Sequence, residues 1–387
     1  MWNSFFSIFL ILFTSIFLID AFLWFYTWQS RIKIGKFVND EDWQKKVLNK
    51  SILWLQKTPT IKVTDNNRLI IIDILKGNYK KNTIQSWQEA ALLMGISEQY
   101  SKTKNTELQK QMDRFIENKI NSSGNWKTPP KEVDSAILAY AVMLAKKENM
   151  QRYKPAFDEI YAMIKTKIGE DGTVMYRTHV KDYRFVDTVG FICPFLMNYG
   201  LQFQVKEAAE LSLKQITEYL KNGFEEKSGL PFHTYQVSTG FPVGLAGWGR
   251  GLAWFVIGLV DTYKVLPEGF PEKEILKNEI VKLAKSSMKF QDDNGGFHWN
   301  MQDFGSRMDS SVTSVLAWFY KECENIEEIS EISKAAKEKV LSYLKSVTRR
   351  NGAVDFSQGD TKGIGVYSQN FDILPFTQGF ILKALNQ

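Results

Sequence analysis

The sequence predicts an all-α protein, an (α/α)6 toroid of helical hairpins that is preceded by one N-terminal transmembrane helix. Three observations predict it. Residues 5–28 form an almost unbroken apolar run. From about residue 40, apolar residues recur with the period of a helix. Similar glycine-containing turns separate these segments, as in repeat proteins.

The apolar run is long enough to be a membrane anchor. At about 1.5 Å per residue it extends roughly 36 Å, which spans a bilayer with some tilt. Asp20 interrupts it and is expected near an interface, where Trp24, Tyr26 and Trp28 would form an aromatic belt. The alternative is a cleaved signal peptide, but the run has neither a basic region before it nor an A-x-A site after it. We expect residues 1–30 to be the anchor, with a lipid bilayer as its partner through residues 5–28, and residues 31–387 to be one catalytic domain.

The basic residues that follow the run predict its orientation. No Lys or Arg precedes it, whereas Arg31, Lys33 and Lys36 follow it. Since cytoplasmic flanks carry an excess of such residues, the pattern favours a single-pass protein whose domain faces the cytoplasm over one that faces the periplasm or the cell exterior.

Composition excludes several classes. The net charge of +6 comes from 49 basic and 43 acidic residues that are scattered along the chain, so we expect no nucleic-acid partner. Two cysteines exclude a disulfide scaffold, and three histidines argue against a multi-histidine metal centre. We therefore expect no metal and no cofactor.

The repeats predict a closed ring. Helical periodicity is clear at residues 43–55, 107–120, 135–145, 206–220 and 334–347. Between them, polar turns at Gly124, Gly172, Gly229, Gly295 and Gly352 each precede an aromatic or apolar patch and then a helix opened by polar residues. A sixth, weaker copy has residues 86–96 as its inner helix. The alternative is an open helical solenoid of the same period.

In a closed ring the inner helices begin at one rim, so the polar residues that open them converge on a single pocket. These residues are Asp134, Asp187, Arg250, Ser310 and Gln378.

Two of these residues suggest acid–base chemistry. Asp187 in RFVDTVGFICPFL and Asp134 in KEVDSAILAYA each open a mostly apolar helix, where an N-cap role is expected. If both carboxylates face one cavity, their repulsion and partial burial would raise one pKa and make that group an acid near neutral pH.

Other candidates surround this pair. Arg250, between two glycines in GWGRGLAW, suits a carboxylate or sugar hydroxyls, or else a structural salt bridge. Trp248 is expected to stack on a sugar face, while Trp254 belongs either to the pocket or to the core. His233 either hydrogen-bonds substrate or is structural.

Together RFVDTVGFICPFL, GWGRGLAWFVIGL and DSSVTSVLAWFY, in this order, resemble glycoside hydrolase families 88 and 105, the unsaturated glucuronyl and rhamnogalacturonyl hydrolases, over residues 40–387. The resemblance implies an (α/α)6 barrel with Asp187 as general acid/base and Asp134 as the second essential acid. It also implies that Trp248, Arg250 and His233 bind substrate, and Arg177 matches a basic residue by spacing. Phe185 replaces the family's Trp and Gly249 its Ala. With Tyr176, Phe185 is expected at the pocket rim.

The reaction that this resemblance implies is hydration of an enol ether. The enzyme would remove a Δ-4,5-unsaturated uronic acid from the non-reducing end of an oligosaccharide, without a covalent nucleophile. Two alternatives remain at this point: an (α/α)6 glycosidase acting on a saturated glycan, and a membrane-anchored glycan-binding or assembly protein with a decayed site.

Overall fold

The computed structural model describes residues 2–61, 64–78 and 85–385. This part of the chain contains fourteen α-helices and seven short strands. The helices are α1 Trp2–Arg31, α2 Asp40–Gln56, α3 Ile70–Leu75, α4 Gln85–Thr103, α5 Thr106–Lys119, α6 Ala136–Ala145, α7 Lys154–Lys165, α8 Val186–Phe203, α9 Lys206–Asn222, α10 Gly249–Val265, α11 Pro271–Met288, α12 Ser310–Cys323, α13 Ser330–Ser346 and α14 Pro375–Ala384. The strands are β1 Tyr183–Phe185, β2 Phe224–Glu225, β3 Leu230–Pro231, β4 Thr234–Gln236, β5 Pro242–Val243, β6 Ser357–Gln358 and β7 Phe371–Asp372.

Six inner helices form a closed ring. Helices α4, α6, α8, α10, α12 and α14 pack against one another in this order, and α14 packs against α4. Each is preceded by one outer helix, from the set α2, α5, α7, α9, α11 and α13. The (α/α)6 toroid is thereby confirmed and the open solenoid is wrong. The weaker sixth repeat is also present, since α4 contains residues 86–96.

The glycine turns close the outer layer of the ring. All five repeat glycines have φ between +69° and +93°, a region that other residues seldom adopt. Each turn lies against the next outer helix or the segment leading into it. A Cβ on Gly124 would lie 2.1 Å from the Arg152 carbonyl oxygen, just before α7. A Cβ on Gly352, in the last turn, would lie 2.1 Å from the carbonyl oxygen of Lys46 in the first outer helix.

Burial follows the two layers. The inner helix α8 buries thirteen of its residues, which explains why its sequence is apolar on every side. The outer helix α5 buries only Leu108, Met112, Phe115 and Ile116, a single face at helical spacing. Hence the outer helix α5 shows one apolar face at helical spacing, whereas the inner helix α8 is an apolar run.

A small antiparallel sheet of β1, β4 and β5 fixes the start of α8. Phe185 pairs with Thr234, and the Val186 N–H donates to the His233 carbonyl at 3.0 Å. This register brings Asp187, one residue further along, next to His233.

One helix of the described chain, Ser4–Arg31, is long and apolar enough to cross a membrane. Its apolar side chains are exposed, and its last residue contacts the ring. The Arg31 guanidinium forms a two-point ion pair with the fully buried Asp355, at 2.7 and 3.0 Å. The long helix α1 therefore leaves the ring beside the strands β6 and β7.

Candidate active site

A cavity of about 490 Å³ lies among the N-terminal ends of the inner helices. The structure brings eight of the residues expected at the pocket to its wall. They are Asp134, Tyr176, Arg177, Phe185, Asp187, His233, Trp248 and Arg250. A cavity of this size suits a small ligand such as one or two sugar rings.

Asp187 faces this cavity from the first turn of α8. Its side chain is 14% exposed, and Oδ2 accepts no hydrogen bond from any residue that the structure describes. The helix is preceded by Phe185 as its N-cap residue, so the expected capping role of Asp187 is wrong. Burial raises the pKa of Asp187 to about 7, with nearby Arg250 opposing the shift and Asp360 adding to it.

Asp134 also lines the cavity, from the 3-10 turn Val133–Ser135 that precedes α6, and it too makes no capping hydrogen bond. Its Oδ2 accepts a hydrogen bond from Arg177 Nη2 at 3.2 Å. Burial raises the pKa of Asp134, and the Arg177 charge opposes this. The expectation that repulsion within the Asp134–Asp187 pair tunes Asp187 needs correction, because burial dominates and Asp360 is the carboxylate that contributes.

His233 is a neutral imidazole beside Asp187. Burial and the Arg250 charge lower the pKa of His233 to about 3. Its Nδ1 lies 3.3 Å from Tyr367 Oη, which itself accepts the Leu245 N–H at 2.9 Å. A neutral imidazole carries one hydrogen; with the Tyr367 hydroxyl as donor to Nδ1, that hydrogen is on Nε2, 3.7 Å from Asp187 Oδ2.

Arg177 forms one wall with two aromatic rings. Its guanidinium lies 3.9 Å from the centre of the Tyr176 ring, a cation–π contact that holds it beside Asp134. The Phe185 ring lies 5.1 Å from that of Tyr176 and 5.5 Å, edge to face, from His233. Aromatic faces and a cation thus lie side by side.

Arg250 is less free than its sequence context suggests. The residue is 2% exposed, and its guanidinium donates to the carbonyl oxygens of Gln358 and Gly359, both at 2.6 Å. It therefore holds the loop that follows β6 and brings Asp360 to the cavity. Trp248 contacts the same loop through a 2.9 Å hydrogen bond from Nε1 to Gln358 Oε1.

Three aromatic side chains form the inner end of the cavity. Trp254 lines it, which settles the choice between pocket and core in favour of a buried pocket wall. Its ring lies 4.4 Å from that of Phe191 and 5.5 Å from that of Trp87. Trp87 opens α4, so the rule that inner helices begin at the pocket could have identified it.

The main residue that sequence reasoning missed is Asp360. Burial raises the pKa of this carboxyl, and the Arg250 charge opposes the shift. It lies in the loop after the last glycine turn, together with the cavity residues Thr361 and Lys362. The sequence signal for it is the aspartate that ends RNGAVDFSQGD, which lies in a loop and not at the start of an inner helix.

Two residues expected at the pocket are elsewhere. The Gln378 amide accepts the Val354 N–H and donates to the carbonyls of Val47 and Gly352, so it joins the last glycine turn to α2. Ser310 is fully buried at the start of α12 and does not line the cavity. In these two repeats the polar residue near the start of the inner helix is part of the packing within the ring.

Throughout the part of the chain that the structure describes, no group of three or more His, Cys, Asp or Glu side chains is placed to hold a metal ion. The arrangement offers instead a carboxyl group that titrates near neutrality, a neutral imidazole, and cations beside aromatic faces. Such a site can donate and accept protons on a polar, ring-shaped ligand.

Comparison with known proteins agrees with this geometry. The model of glycosyl hydrolase family 88 matches residues 59–368. The unsaturated rhamnogalacturonyl hydrolase YesR of Bacillus subtilis is 16% identical over 263 residues, which are 64% of this chain and 73% of that protein.

Solved structures show the same fold. A possible member of family GH105 from Klebsiella pneumoniae has a TM-score of 0.76 and 18% identity, covering 90% of this chain and 93% of that one. The unsaturated glucuronyl hydrolase of Bacillus sp. GL1, responsible for the degradation of glycosaminoglycan, has a TM-score of 0.60 and 15% identity, covering 88% and 95%.

Proposed function

Because the chain belongs to glycosyl hydrolase family 88 and is a glycoside hydrolase, we propose that it removes a Δ-4,5-unsaturated uronic acid from the non-reducing end of an oligosaccharide. The single observation that carries the proposal is the Asp187 carboxyl, which faces the cavity with a pKa raised to about 7. An acid with this pKa can give up a proton and take one back at neutral pH.

The chemistry assigned to Asp187 is hydration of the enol ether. Its carboxyl transfers a proton to C4 of the substrate, and positive charge develops at C5 and the ring oxygen. The resulting carboxylate then accepts a proton from the water that adds at C5. The hemiketal that forms opens, and the former glycosidic carbon expels the next sugar.

The other cavity residues hold the reactants. Asp134, fixed by Arg177, would accept a hydrogen bond from a sugar hydroxyl or from the attacking water. His233 would donate from Nε2 beside Asp187, and its neutral state leaves the proton of Asp187 in place. Arg177 is the cation placed to receive the substrate carboxylate.

Aromatic faces would complete the sugar site. Tyr176 and Phe185 lie on the same wall as Arg177, and the Trp248 ring lies 4.7 Å from that of His233. Sugar rings pack on such faces through their C–H groups, while the polar residues at the edge bind their hydroxyls. We assign these three residues to substrate binding, with Arg250 acting mainly through the loop that it holds.

We also propose that residues 1–30 anchor the domain, residues 31–387, in a lipid bilayer. The exposed apolar surface of α1 supports this, because such a surface is costly in water. Arg31, Lys33 and Lys36 at its end favour a cytoplasmic domain.

One comparison tests the reaction. The full chain in detergent is incubated with a panel of lyase-generated oligosaccharides and with saturated counterparts of the same sugars. We expect loss of the enol-ether absorbance at about 235 nm with the unsaturated members and no sugar release from the saturated ones. Release from saturated sugars would indicate an ordinary glycosidase, and binding without turnover would indicate a decayed site; either result would overturn the proposal.

A further inference from the structure

The short helix α3 is attached to the long apolar helix α1 by a single acidic residue. The Asp20 carboxylate accepts the Leu69 N–H at 2.6 Å and the Ile70 N–H at 3.0 Å. These amides belong to the start of α3, where a helix leaves its N–H groups without intrahelical partners. Asp20 and the α3 terminus thus satisfy each other, which is required of polar groups that lie in or near hydrocarbon.

The outward face of α3 is apolar. Ile72 and Leu75, three residues apart on one side of the helix, are 41% and 81% exposed, and Leu69, the residue before the helix, and Ile74 are 49% and 50% exposed. The opposite side carries the buried Ile70 and Asp73. An exposed apolar side on a helix this short cannot be explained by packing within the ring.

Charge around α3 suits a lipid surface. Arg68 immediately precedes the apolar face and Lys76 immediately follows it, and both residues are exposed. Cations that flank an apolar helical face are typical of segments that lie in the headgroup region, where they attract anionic lipids.

The same segment reaches the pocket. The Asp65 carboxylate accepts hydrogen bonds from Lys362 at 2.9 Å and from Ser368 at 2.5 Å. Lys362 lines the cavity in the loop that Arg250 holds. A continuous set of contacts therefore runs from α1 through α3 to the pocket rim.

We propose that α3 is a second membrane-inserting element, whose partner is a bilayer that contains anionic lipid. Its face formed by Ile72 and Leu75 enters the interface beside α1, and Asp20 fixes its depth. The inference rests on the proposed anchor and extends it. It places the pocket rim, through Asp65 and Lys362, close to the membrane surface.

Fluorescence quenching in vesicles tests the inference. The full chain is reconstituted into phosphatidylcholine vesicles with phosphatidylglycerol, and an environment-sensitive dye is attached at Leu75→Cys. Cys193 and Cys323 are buried and stay in place. The matched control is Ile275→Cys, which is 52% exposed near the start of α11 and hence at the opposite rim. Phe17→Cys in α1 reports the anchor.

We expect nitroxide-labelled lipids to quench the dye at positions 75 and 17 but not at 275. Asp20→Ala should release α3, so that quenching at 75 falls several-fold while quenching at 17 stays. Quenching at 17 with none at 75 would overturn the inference and leave the anchor standing. No quenching at either position would overturn both. Each outcome is independent of the glycosidase assay, which uses protein in detergent.

Discussion

At the residue scale, the site depends on how strongly one carboxyl is desolvated. Asp187 lies between the buried aromatic end of the cavity and its polar rim, and burial contributes most to its raised pKa. The neutral His233 adds no charge that would lower it. The protonated acid is therefore available at the pH where the enol ether itself is stable.

The raised pKa has a consequence for stability. A group with a folded-state pKa above its unfolded value stabilises the fold below the unfolded value, here 3.8, and this contribution is lost as pH rises through about 7. We expect Asp187→Asn to raise the free energy of unfolding at pH 8 by up to about 4 kcal/mol, and by less at pH 5. Denaturant unfolding at both pH values measures this, and an equal effect at both would contradict a raised pKa.

Asp360 tunes the same group. Its negative charge raises the pKa of Asp187, so Asp360→Asn should lower that pKa. Since the reaction needs protonated Asp187, the alkaline limb of the pH profile of kcat/KM should move to lower pH by a fraction of a unit. The control is Asp293→Asn, an exposed residue of another glycine turn. An unchanged limb, or a shift to higher pH, would show that Asp360 does not act on Asp187.

Sequence reasoning reached the residues that open inner helices but not those delivered by loops. Asp134 and Asp187 could be predicted as site residues because they lie at the starts of inner helices. Asp360 depends on a loop whose path is set by two carbonyl contacts with Arg250, and no local pattern encodes such contacts. The prediction that Gln378 faces the pocket is wrong for the opposite reason. Its side-chain amide is hydrogen-bonded to backbone groups of neighbouring repeats.

At the element scale, the loop between β6 and β7 joins the pocket to the rest of the ring. The Arg250 guanidinium of α10 donates to backbone carbonyls of this loop. Trp248 Nε1 donates to the Gln358 side chain, and the Asp65 carboxylate accepts a hydrogen bond from Lys362. Two separate parts of the chain, the start of α10 and the segment before α3, thus converge on one loop, which carries Asp360 into the cavity.

Replacing Arg250 by Lys should loosen this loop. Lysine keeps the charge but cannot donate to two carbonyls from one planar group. We expect faster hydrogen exchange at residues 357–364 and a loss of about 10- to 100-fold in kcat/KM, as for a misplaced site. Arg152→Lys, at an exposed position, is the control. Lost activity with unchanged exchange in the loop would instead indicate that Arg250 acts directly on the substrate.

At the scale of the whole molecule, closure of the ring determines the fold. The last glycine turn docks on the first outer helix, and α14 packs on α4. The glycine periodicity in the sequence predicts that successive repeats dock on one another, but it fits an open solenoid equally well; the contact of the last turn with α2 is what closes the ring. The short strands were not predicted, since segments of two or three residues carry no alternating pattern.

Gly352→Ala tests this closure. A methyl group there meets the Lys46 carbonyl at 2.1 Å in addition to the strain of φ +87°. Gly269→Ala is the matched control, with φ +85° and open space around it. We expect a loss of about 1 kcal/mol for the control and about 3 kcal/mol or more for Gly352→Ala, measured by denaturant unfolding. Equal losses would show that the contact between the last turn and α2 contributes nothing.

The most direct test of the account follows two signals during one reaction. Loss of the absorbance at about 235 nm and release of the neighbouring sugar are recorded together for the wild type and for Asp187→Asn. With the wild type we predict that the amount of unsaturated uronate consumed equals the amount of sugar released, because hydration at C4 and C5 is what expels the sugar. With Asp187→Asn we predict neither signal. Sugar release with the absorbance intact, or an Asp187→Asn variant as active as the wild type, would contradict the account.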